Sequence, residues 1–395
     1  MLALKYARAL ALLPLAAGLL IAPAMGSEPS AGTNPPKWAR GLPNRPDYFP
    51  IGVWLQAPRN AARFKAAGIN LYVALWQGPT EEQLAELKAA DMPVICAQNK
   101  SALALIADPT IVGWMHDDEP DNAQSLGEGK GYGPPVPPAR IVADYQRMHD
   151  ADPTRPVMLN LGQAVAWDNW IGRGVRSRHP EDYPEYVQGC DLASFDIYPA
   201  VHDNPEVAGK LEFVAQGVKR LVGWTGGAKP VWACIECTHI SNPDAKPTPD
   251  QVRSEVWMAI IHGARGLVYF VHEFKPQFKE AGLLDDPPML EAVTQINRQI
   301  RELAPVINGP DHNAGVRVTS SVEPASISFL ARQHEHRLYL FAVNTSNKAT
   351  HGVFRLSAPS SPKLDVLSEN RILAPHENGF EDDFAPYEVH LYRGQ

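Results

Sequence analysis

Three consecutive carboxylates near the middle of the chain, Asp117, Asp118 and Glu119, directly follow a short apolar segment and are followed by a proline. An apolar run of this length that ends at a breaker predicts a buried strand. Adjacent acids repel one another, so such a cluster indicates a site that uses the charge. A second apolar run, residues 231–236, also ends in an acid, Glu236.

Two carboxylates on one rim of a parallel barrel suit cleavage of a glycosidic bond, in which one donates a proton and the other acts as nucleophile or base. A separation of about 5–5.5 Å would mean retention of anomeric configuration, and about 6.5–9.5 Å would mean inversion. A purely structural role remains an alternative for each acid. Residues 119–121 could form an acidic loop or the start of a helix, and Glu236 could form a buried ion pair with an arginine.

The elements that would position these acids follow a regular order. From Phe49 onwards, apolar strand-like runs alternate with helical patterns, which is typical of a parallel sheet with crossover helices. The predicted strands are residues 51–55, 69–76, 93–97, the stretch over 111–120, 157–161, 192–198, 231–236 and 267–272. Eight such units over residues 49–308 match the roughly 250 residues of a (β/α)₈ TIM barrel. An open doubly wound sheet is the alternative, but no Gly-x-Gly-x-x-Gly turn supports it.

Beyond Asn308-Gly309-Pro310 the pattern changes to short alternating runs separated by turn residues. These runs are residues 316–319, 326–330, 337–344, 352–356 and 388–392. Short alternating runs of this kind predict an antiparallel β-sandwich, here a separate C-terminal domain over residues 311–395.

The N-terminus has the features of a secretory signal peptide. Lys5 and Arg8 precede an apolar run over residues 9–21, and Ala22-Pro23-Ala24 forms a small-x-small cleavage pattern. The apolar run of about 13 residues is shorter than the roughly 20 needed to span a membrane. We therefore predict cleavage after residues 1–24, a loose leader over 25–48, and a secreted or periplasmic protein without a membrane anchor.

Composition excludes other classes of partner. The net charge of −8 and the absence of a basic stripe argue against nucleic-acid binding. The four cysteines, Cys96, Cys190, Cys234 and Cys237, are able to pair in an oxidising compartment, but four cysteines allow three connectivities. No motif calls for a cofactor, and the sequence does not define the oligomeric state.

The residues at the predicted carboxyl ends of the strands are polar and aromatic, whereas the strand bodies are apolar. In a TIM barrel this rim carries the reacting groups. The rim residues are Trp54, Gln56, Trp76, Gln77, Gln98, Asn99, Asp117, Asp118, Glu119, Asn160, Asp196, Tyr198, Glu236, His239, His272 and Glu273.

Several of these rim and loop residues are candidates for substrate binding. Flat aromatic faces suit sugar rings, which makes Trp54, Trp76, Trp167 and Trp170 stacking candidates. Asp118, Asn160, His239 and His272 are candidates for contacts with sugar hydroxyls. The expected partner is an oligo- or polysaccharide.

The arrangement resembles clan A glycoside hydrolases, the retaining (β/α)₈ enzymes with a Glu acid/base ending strand four and a Glu nucleophile ending strand seven. By position, Glu119 resembles the acid/base, Glu236 the nucleophile, and Tyr198 the tyrosine that hydrogen-bonds the nucleophile. The clan usually has Asn where Asp118 stands, and often has Arg and Trp where Trp76 and His272 stand. The resemblance implies a secreted glycoside hydrolase that cleaves β-linked glycans by retaining double displacement.

Two other functions remain open at the level of sequence. The first is a metal-dependent barrel hydrolase. The chain contains residue types that bind metal ions, including His116, Asp117, Cys237 and Glu273. They do not have the close spacing of a metal-binding motif, so no metal site is predicted. A non-catalytic carbohydrate-binding barrel would keep the cleft without turnover. A serine hydrolase lacks the Gly-x-Ser-x-Gly elbow.

Overall fold

The computed structural model describes residues 38–322, 326–357, 363–374, 376 and 378–395. The predicted signal peptide and most of the predicted leader lie outside these residues. Within the described ranges, no helix combines the length and the apolar character that a membrane span requires.

Eight parallel strands close into a barrel in sequence order, β1 to β8, with β8 paired to β1. The strands are Ile51–Trp54 (β1), Leu71–Val73 (β2), Val94–Ala97 (β3), Ile111–Met115 (β4), Val157–Leu161 (β5), Leu192–Phe195 (β6), Val231–Glu236 (β7) and Leu267–Phe270 (β8). The predicted TIM barrel is confirmed, and the open doubly wound sheet is excluded because the sheet has no edge.

Helices cover the outside of the barrel. They are Ala61–Ala66 (α1), Glu81–Ala89 (α2), Lys100–Ala104 (α3), Pro138–Ala151 (α4), Tyr183–Tyr186 (α5), Glu212–Trp224 (α6), Pro249–Ile261 (α7) and Pro287–Ile307 (α8). Helices α2 and α7 begin with complete capping boxes, in which Thr80 and Thr248 accept from the third residue of the helix. The loop after β5, where the sequence showed no helical pattern, holds short 3₁₀ turns and α5.

The barrel interior is packed with side chains and forms no open channel. Apolar residues from six strands fill it: Leu71, Ile95, Met158, Leu192, Trp232 and Val268. On β4 this packing requires a glycine, because a Cβ on Gly113 would lie 2.9 Å from Cγ1 of Ile95. Since the interior is full, substrate can only bind at an end of the barrel.

The C-terminal domain consists of two antiparallel sheets, as predicted. Its strands are Val316–Ser320 (β9), Ile327–His334 (β10), Arg337–Asn344 (β11), Thr350–Leu356 (β12), Leu364–Val366 (β13), Arg371–Leu373 (β14), Gly379–Phe384 (β15) and Val389–Gly394 (β16). One sheet has the order β10-β11-β16-β13-β14 and the other β15-β12-β9. Strands β13, β14 and β15 were missed, because two have three residues and the third carries three successive acids.

Helix α7 lies between the barrel and the sandwich. Its Trp257 packs on Phe341 of β11 with ring centroids 5.1 Å apart. Ser254 donates a hydrogen bond to the carbonyl of Tyr387 at 2.6 Å, and Arg253 donates to the carbonyl of Val389 at 2.8 Å. Because α7 is covered on both sides, Glu255 in its middle is completely buried.

Candidate active site

The carboxyl groups of Glu119 and Asp196 meet at the mouth of the barrel. Glu119 follows β4 and has a φ of +43°, and Asp196 directly follows β6, its backbone N–H donating to Leu161 at 3.0 Å. The two carboxyl groups are hydrogen-bond partners, and both residues are partly exposed. Two carboxyl groups can hydrogen-bond only if one of them carries a proton.

Burial raises the pKa of both acids. The pKa of Glu119 rises to about 7 because it loses hydration and lies near the charge of Asp118. The pKa of Asp196 is raised well above its ordinary value by desolvation and by the nearby Glu119 and Asp118 carboxylates. The pair therefore holds a proton near neutral pH that separate carboxyls would have released.

A glycine makes room for Glu119. A Cβ on Gly162, which follows β5, would lie 2.8 Å from Oε1 of Glu119 and 2.8 Å from Nδ2 of Asn122. Asn122 hydrogen-bonds the Glu119 carboxyl and its Oδ1 accepts from the indole N–H of Trp170 at 2.8 Å. The side-chain amide of Asn122, which Trp170 orients, therefore holds the Glu119 carboxyl from one side.

Asp118 supplies a third carboxyl at the mouth. It is exposed and accepts a hydrogen bond from Nδ2 of Asn160 at 2.9 Å. Asn160 is itself fixed, because its Oδ1 accepts from the Ser194 hydroxyl at 2.6 Å. Desolvation raises the pKa of Asp118 to about 6, compared with about 7 for Glu119.

A buried carboxylate fixes the loop beneath this site. Asp121 has no exposed surface; its Oδ1 accepts from the Gly162 N–H at 2.9 Å and its Oδ2 from the Tyr183 hydroxyl at 2.7 Å. Arg173, also fully buried, donates to the backbone carbonyl of Asp121 at 3.1 Å. These contacts tie the turn after Glu119 to the segment that carries Gly162.

Glu236 lies elsewhere, and the predicted geometry differs from the structure on this point. Its exposed fraction is 0%. Its Oε1 accepts from the Ala200 N–H at 2.6 Å and its Oε2 from the Val201 N–H at 3.0 Å. Both oxygens thus accept hydrogen bonds from backbone amides of the segment after β6. Glu236 does not face Glu119 across an open hollow.

The neighbour of Glu236 is Glu255 of α7. Neither oxygen of Glu255 meets an N–H or O–H donor among the described residues, and desolvation and Glu236 raise its pKa well above the ordinary value. Glu255 is therefore protonated and donates to Glu236, whose own pKa is raised to about 7 by burial. The alternative of an ion pair with an arginine is also wrong, because the partner is an acid.

Tyr198 belongs to the mouth and not to Glu236. The acids that act on its hydroxyl are Asp196, Glu119 and Asp118, and its ring lies 5.2 Å from that of Phe270. Asp196 and Tyr198 are two residues apart at a strand end, a spacing that places both side chains on one face. The sequence analysis placed Asp196 on the rim but assigned it no function. Its spacing from Tyr198 was the sequence signal that both side chains belong to the site.

The predicted stacking tryptophans differ in exposure. Trp76, after β2, is 68% exposed and free to contact a ligand. Trp54 and Trp167 are each only 5% exposed; Trp54 packs in the barrel interior, and the Trp167 indole donates to Glu206 at 2.8 Å. Trp170 is half-buried and orients Asn122. Of the four, Trp76 alone presents an open face.

The two predicted histidines are held by local contacts. His239 donates from Nδ1 to the carbonyl of Ala245 at 2.8 Å. His272 is buried and accepts from the Gln56 amide at 3.2 Å. Within the described part of the chain, no three His, Cys, Asp or Glu side chains are arranged to hold a metal ion. The four cysteines are all buried, and none forms a disulfide.

Comparison with known proteins identifies the fold. No protein-family model and no curated protein matches the sequence. Two candidate alpha-galactosidases from Bacteroides fragilis NCTC 9343 have solved structures that superpose with a TM-score of 0.52 over 88% of this chain and 79% of theirs, at 10% and 9% identity. AmyP, solved with maltose, gives a TM-score of 0.50 over 88% of this chain and 96% of its own, at 10% identity. At these identities the likeness shows the shared barrel fold.

Proposed function

We propose that this protein is a glycoside hydrolase whose reacting groups are Glu119 and Asp196. The observation that carries the proposal is the pair of proton-sharing carboxyls on the rim of a closed (β/α)₈ barrel, where enzymes of this fold place their chemistry. Glycosidic cleavage needs one carboxyl that keeps its proton near neutral pH and a second that does not. The pKa of Glu119, raised to about 7, and the single proton that Glu119 and Asp196 share suit that requirement, because one carboxyl of the pair carries the proton and the other does not.

In this proposal Glu119 acts as general acid and base, and Asp196 replaces Glu236 as the nucleophile. The leaving sugar oxygen takes the shared proton, and the other carboxylate of the pair attacks the anomeric carbon. Two carboxyls close enough to share a proton are nearer to the separation of about 5–5.5 Å in a retaining site than to the about 6.5–9.5 Å of an inverting site. Retention through a covalent intermediate is therefore the proposed course.

The substrate is proposed to be an oligo- or polysaccharide. The resemblance to clan A implies β-linked glycans, whereas fold neighbours include candidate alpha-galactosidases. Trp76 on the rim is available for a sugar ring, and Asp118 for its hydroxyls. Export through the N-terminal signal peptide would bring the protein to such substrates, and N-terminal sequencing of the mature protein from culture medium or periplasm tests the cleavage near Ala24.

A panel of nitrophenyl glycosides in both anomeric forms, together with polysaccharides, tests the function. We expect hydrolysis of at least one substrate and a loss of about 10²–10⁴-fold in kcat/KM for Glu119→Gln. The exposed Glu128→Gln is the matched control and should retain full activity. Tight sugar binding without turnover would identify a non-catalytic binding protein, and inactivation by chelators with recovery on zinc would identify a metallohydrolase.

Azide distinguishes the two nucleophile assignments. In Asp196→Ala a small anion can occupy the space of the lost carboxylate, attack the anomeric carbon and expel the leaving group. Because this is one displacement and not two, the glycosyl azide has the inverted anomeric configuration. If Asp196 is the nucleophile, azide restores activity to Asp196→Ala and not to Glu236→Ala. Rescue of Glu236→Ala alone would return the role to Glu236.

A further inference from the structure

Two phenylalanines on the loop after β8 are exposed at the mouth of the barrel. Phe274 is 47% and Phe278 is 63% exposed. Large apolar side chains that cluster on the surface usually mark a binding site. Both residues follow the carboxyl end of a barrel strand, so they lie on the same rim as Glu119 and Asp196.

The loop is fixed in place before any ligand arrives. Glu273 and Lys279 exchange two backbone hydrogen bonds, of 2.9 and 2.8 Å, and their side chains form an ion pair at 2.7 Å. The Phe274 N–H donates to the carbonyl of Ile240 at 2.6 Å. The five residues between these anchors therefore present the rings of Phe274 and Phe278 with little entropy left to lose on binding.

The two rings belong to an aromatic series that leads to the carboxyl pair. Phe274 and Phe278 lie 5.8 Å apart, and the His272 ring stacks on Phe274 at 6.0 Å with an interplanar angle of 7°. His272 contacts Phe270 at 5.1 Å, and Phe270 contacts Tyr198, beside Asp196, at 5.2 Å. Aromatic contacts thus run without a break from the reacting groups, through the buried His272, to the outer loop.

We propose that Phe274 and Phe278 form a distal sugar-binding subsite, so that the substrate is an oligosaccharide extending from the carboxyl pair towards β8. The C–H faces of a pyranose ring pack on aromatic faces, and the exposed Lys275 and Gln277 between the two rings are placed to bind its hydroxyls. This subsite rests on the proposed function. Its place on the same rim as the carboxyl pair, and the aromatic contacts that link the two, favour a sugar chain over a protein partner.

Chain-length dependence tests the subsite. Hydrolysis of a nitrophenyl monosaccharide is compared with that of the tetrasaccharide of the same sugar and linkage, taken from the cello-, xylo-, manno- and malto-series. For Phe278→Ala and Phe274→Ala we expect kcat/KM on the tetrasaccharide to fall about 5–10-fold more than on the monosaccharide, through KM. Ile372→Ala, an exposed apolar residue on β14 that is 57% exposed, is the control and should change neither.

Direct binding completes the test. Calorimetric titration of the Glu119→Gln protein with the same tetrasaccharides should show weaker binding after Phe278→Ala. Equal losses on short and long substrates, or unchanged tetrasaccharide affinity, would overturn the subsite while Glu119→Gln still reports on the proposed function. Sedimentation in which Phe278→Ala converts a dimer to a monomer would assign the surface to a second copy of this chain. If wild type hydrolyses no glycoside, the proposed function fails and the subsite fails with it.

Discussion

The protein contains two pairs of touching carboxyl groups, and they differ in their access to solvent. Glu119 and Asp196 meet at the barrel mouth and are partly exposed. Glu236 and Glu255 meet between β7 and α7 with no exposed surface. In both pairs burial raises the pKa, to about 7 for Glu119 and about 7 for Glu236.

The comparison shows that a perturbed pKa alone does not locate an active site. A sugar can reach the mouth pair, whereas both carboxylate oxygens of Glu236 accept hydrogen bonds from the backbone N–H groups of Ala200 and Val201. That segment follows Asp196 and Tyr198 directly in the chain. The buried pair therefore positions the strand end that carries Asp196, and in the proposed function the mouth pair performs the chemistry.

The largest effect should follow substitution in the mouth pair. Asp196→Asn removes the second reacting carboxyl without changing its size, so kcat/KM should fall by about 10²–10⁴-fold while the protein stays folded. Steady-state kinetics and circular dichroism measure the two properties. The equivalent substitution in the buried pair, Glu255→Gln, is the control and should cost far less activity. Similar losses in both variants would break the distinction between the pairs.

Substitution of Glu236 should mainly affect stability. In Glu236→Gln one of the two backbone amides faces an NH₂ group and loses its acceptor, so we expect the free energy of unfolding to fall by about 2 kcal/mol. Urea denaturation measures this, with the exposed Glu128→Gln as the matched control. Activity per folded molecule should remain well above that of Asp196→Asn; abolished activity in a stable Glu236→Gln protein would favour a catalytic role.

A smaller effect is expected at Gly162. In Gly162→Ala the new methyl group would lie 2.8 Å from Oε1 of Glu119, so the acid must shift and kcat/KM should fall about 10–100-fold. Gly223→Ala in α6 is the matched control, because its Cβ would meet no atom within 4 Å. That variant should keep full activity and gain about 0.5–1 kcal/mol in stability. An active Gly162→Ala enzyme would argue against the position of Glu119.

The smallest effect is a change in the pH dependence of stability. The pKa of Glu255 is raised in the folded protein, so folding takes up a proton. Stability therefore falls as the pH rises above 4.5, the ordinary pKa of a glutamate. It continues to fall through about 7, the pKa of Glu236 in the folded protein. Glu255→Gln removes one titrating group and donates to Glu236 at every pH. Between pH 5 and 8 the variant should lose about 1 kcal/mol less stability than wild type. Thermal unfolding across this range measures it, and parallel curves would contradict it.

Much of the fold was predictable because the barrel repeats one pattern. Each parallel strand is covered on both faces and so is apolar throughout, which marked β4 and β7 clearly. The short strands β13 and β14 carried no such pattern, since their pairing depends on β16 and not on their own composition. Trp54 and Trp167 were predicted to stack on sugars, but exposure of an aromatic ring depends on its neighbours and cannot be read from its position in the chain.

The order of apolar runs and acids in the chain was enough to predict which acids stand at strand ends, and therefore that Glu119, Asp196 and Glu236 belong to one end of a barrel. It could not determine which two carboxyls meet, because the direction of a side chain at a strand end depends on the twist of the strand and on the segments packed beside it. Only the tertiary structure brought Asp196 to Glu119 and sealed Glu236 under helix α7. The physical reason is that hydration, and not residue type, separates a reacting acid from a structural one.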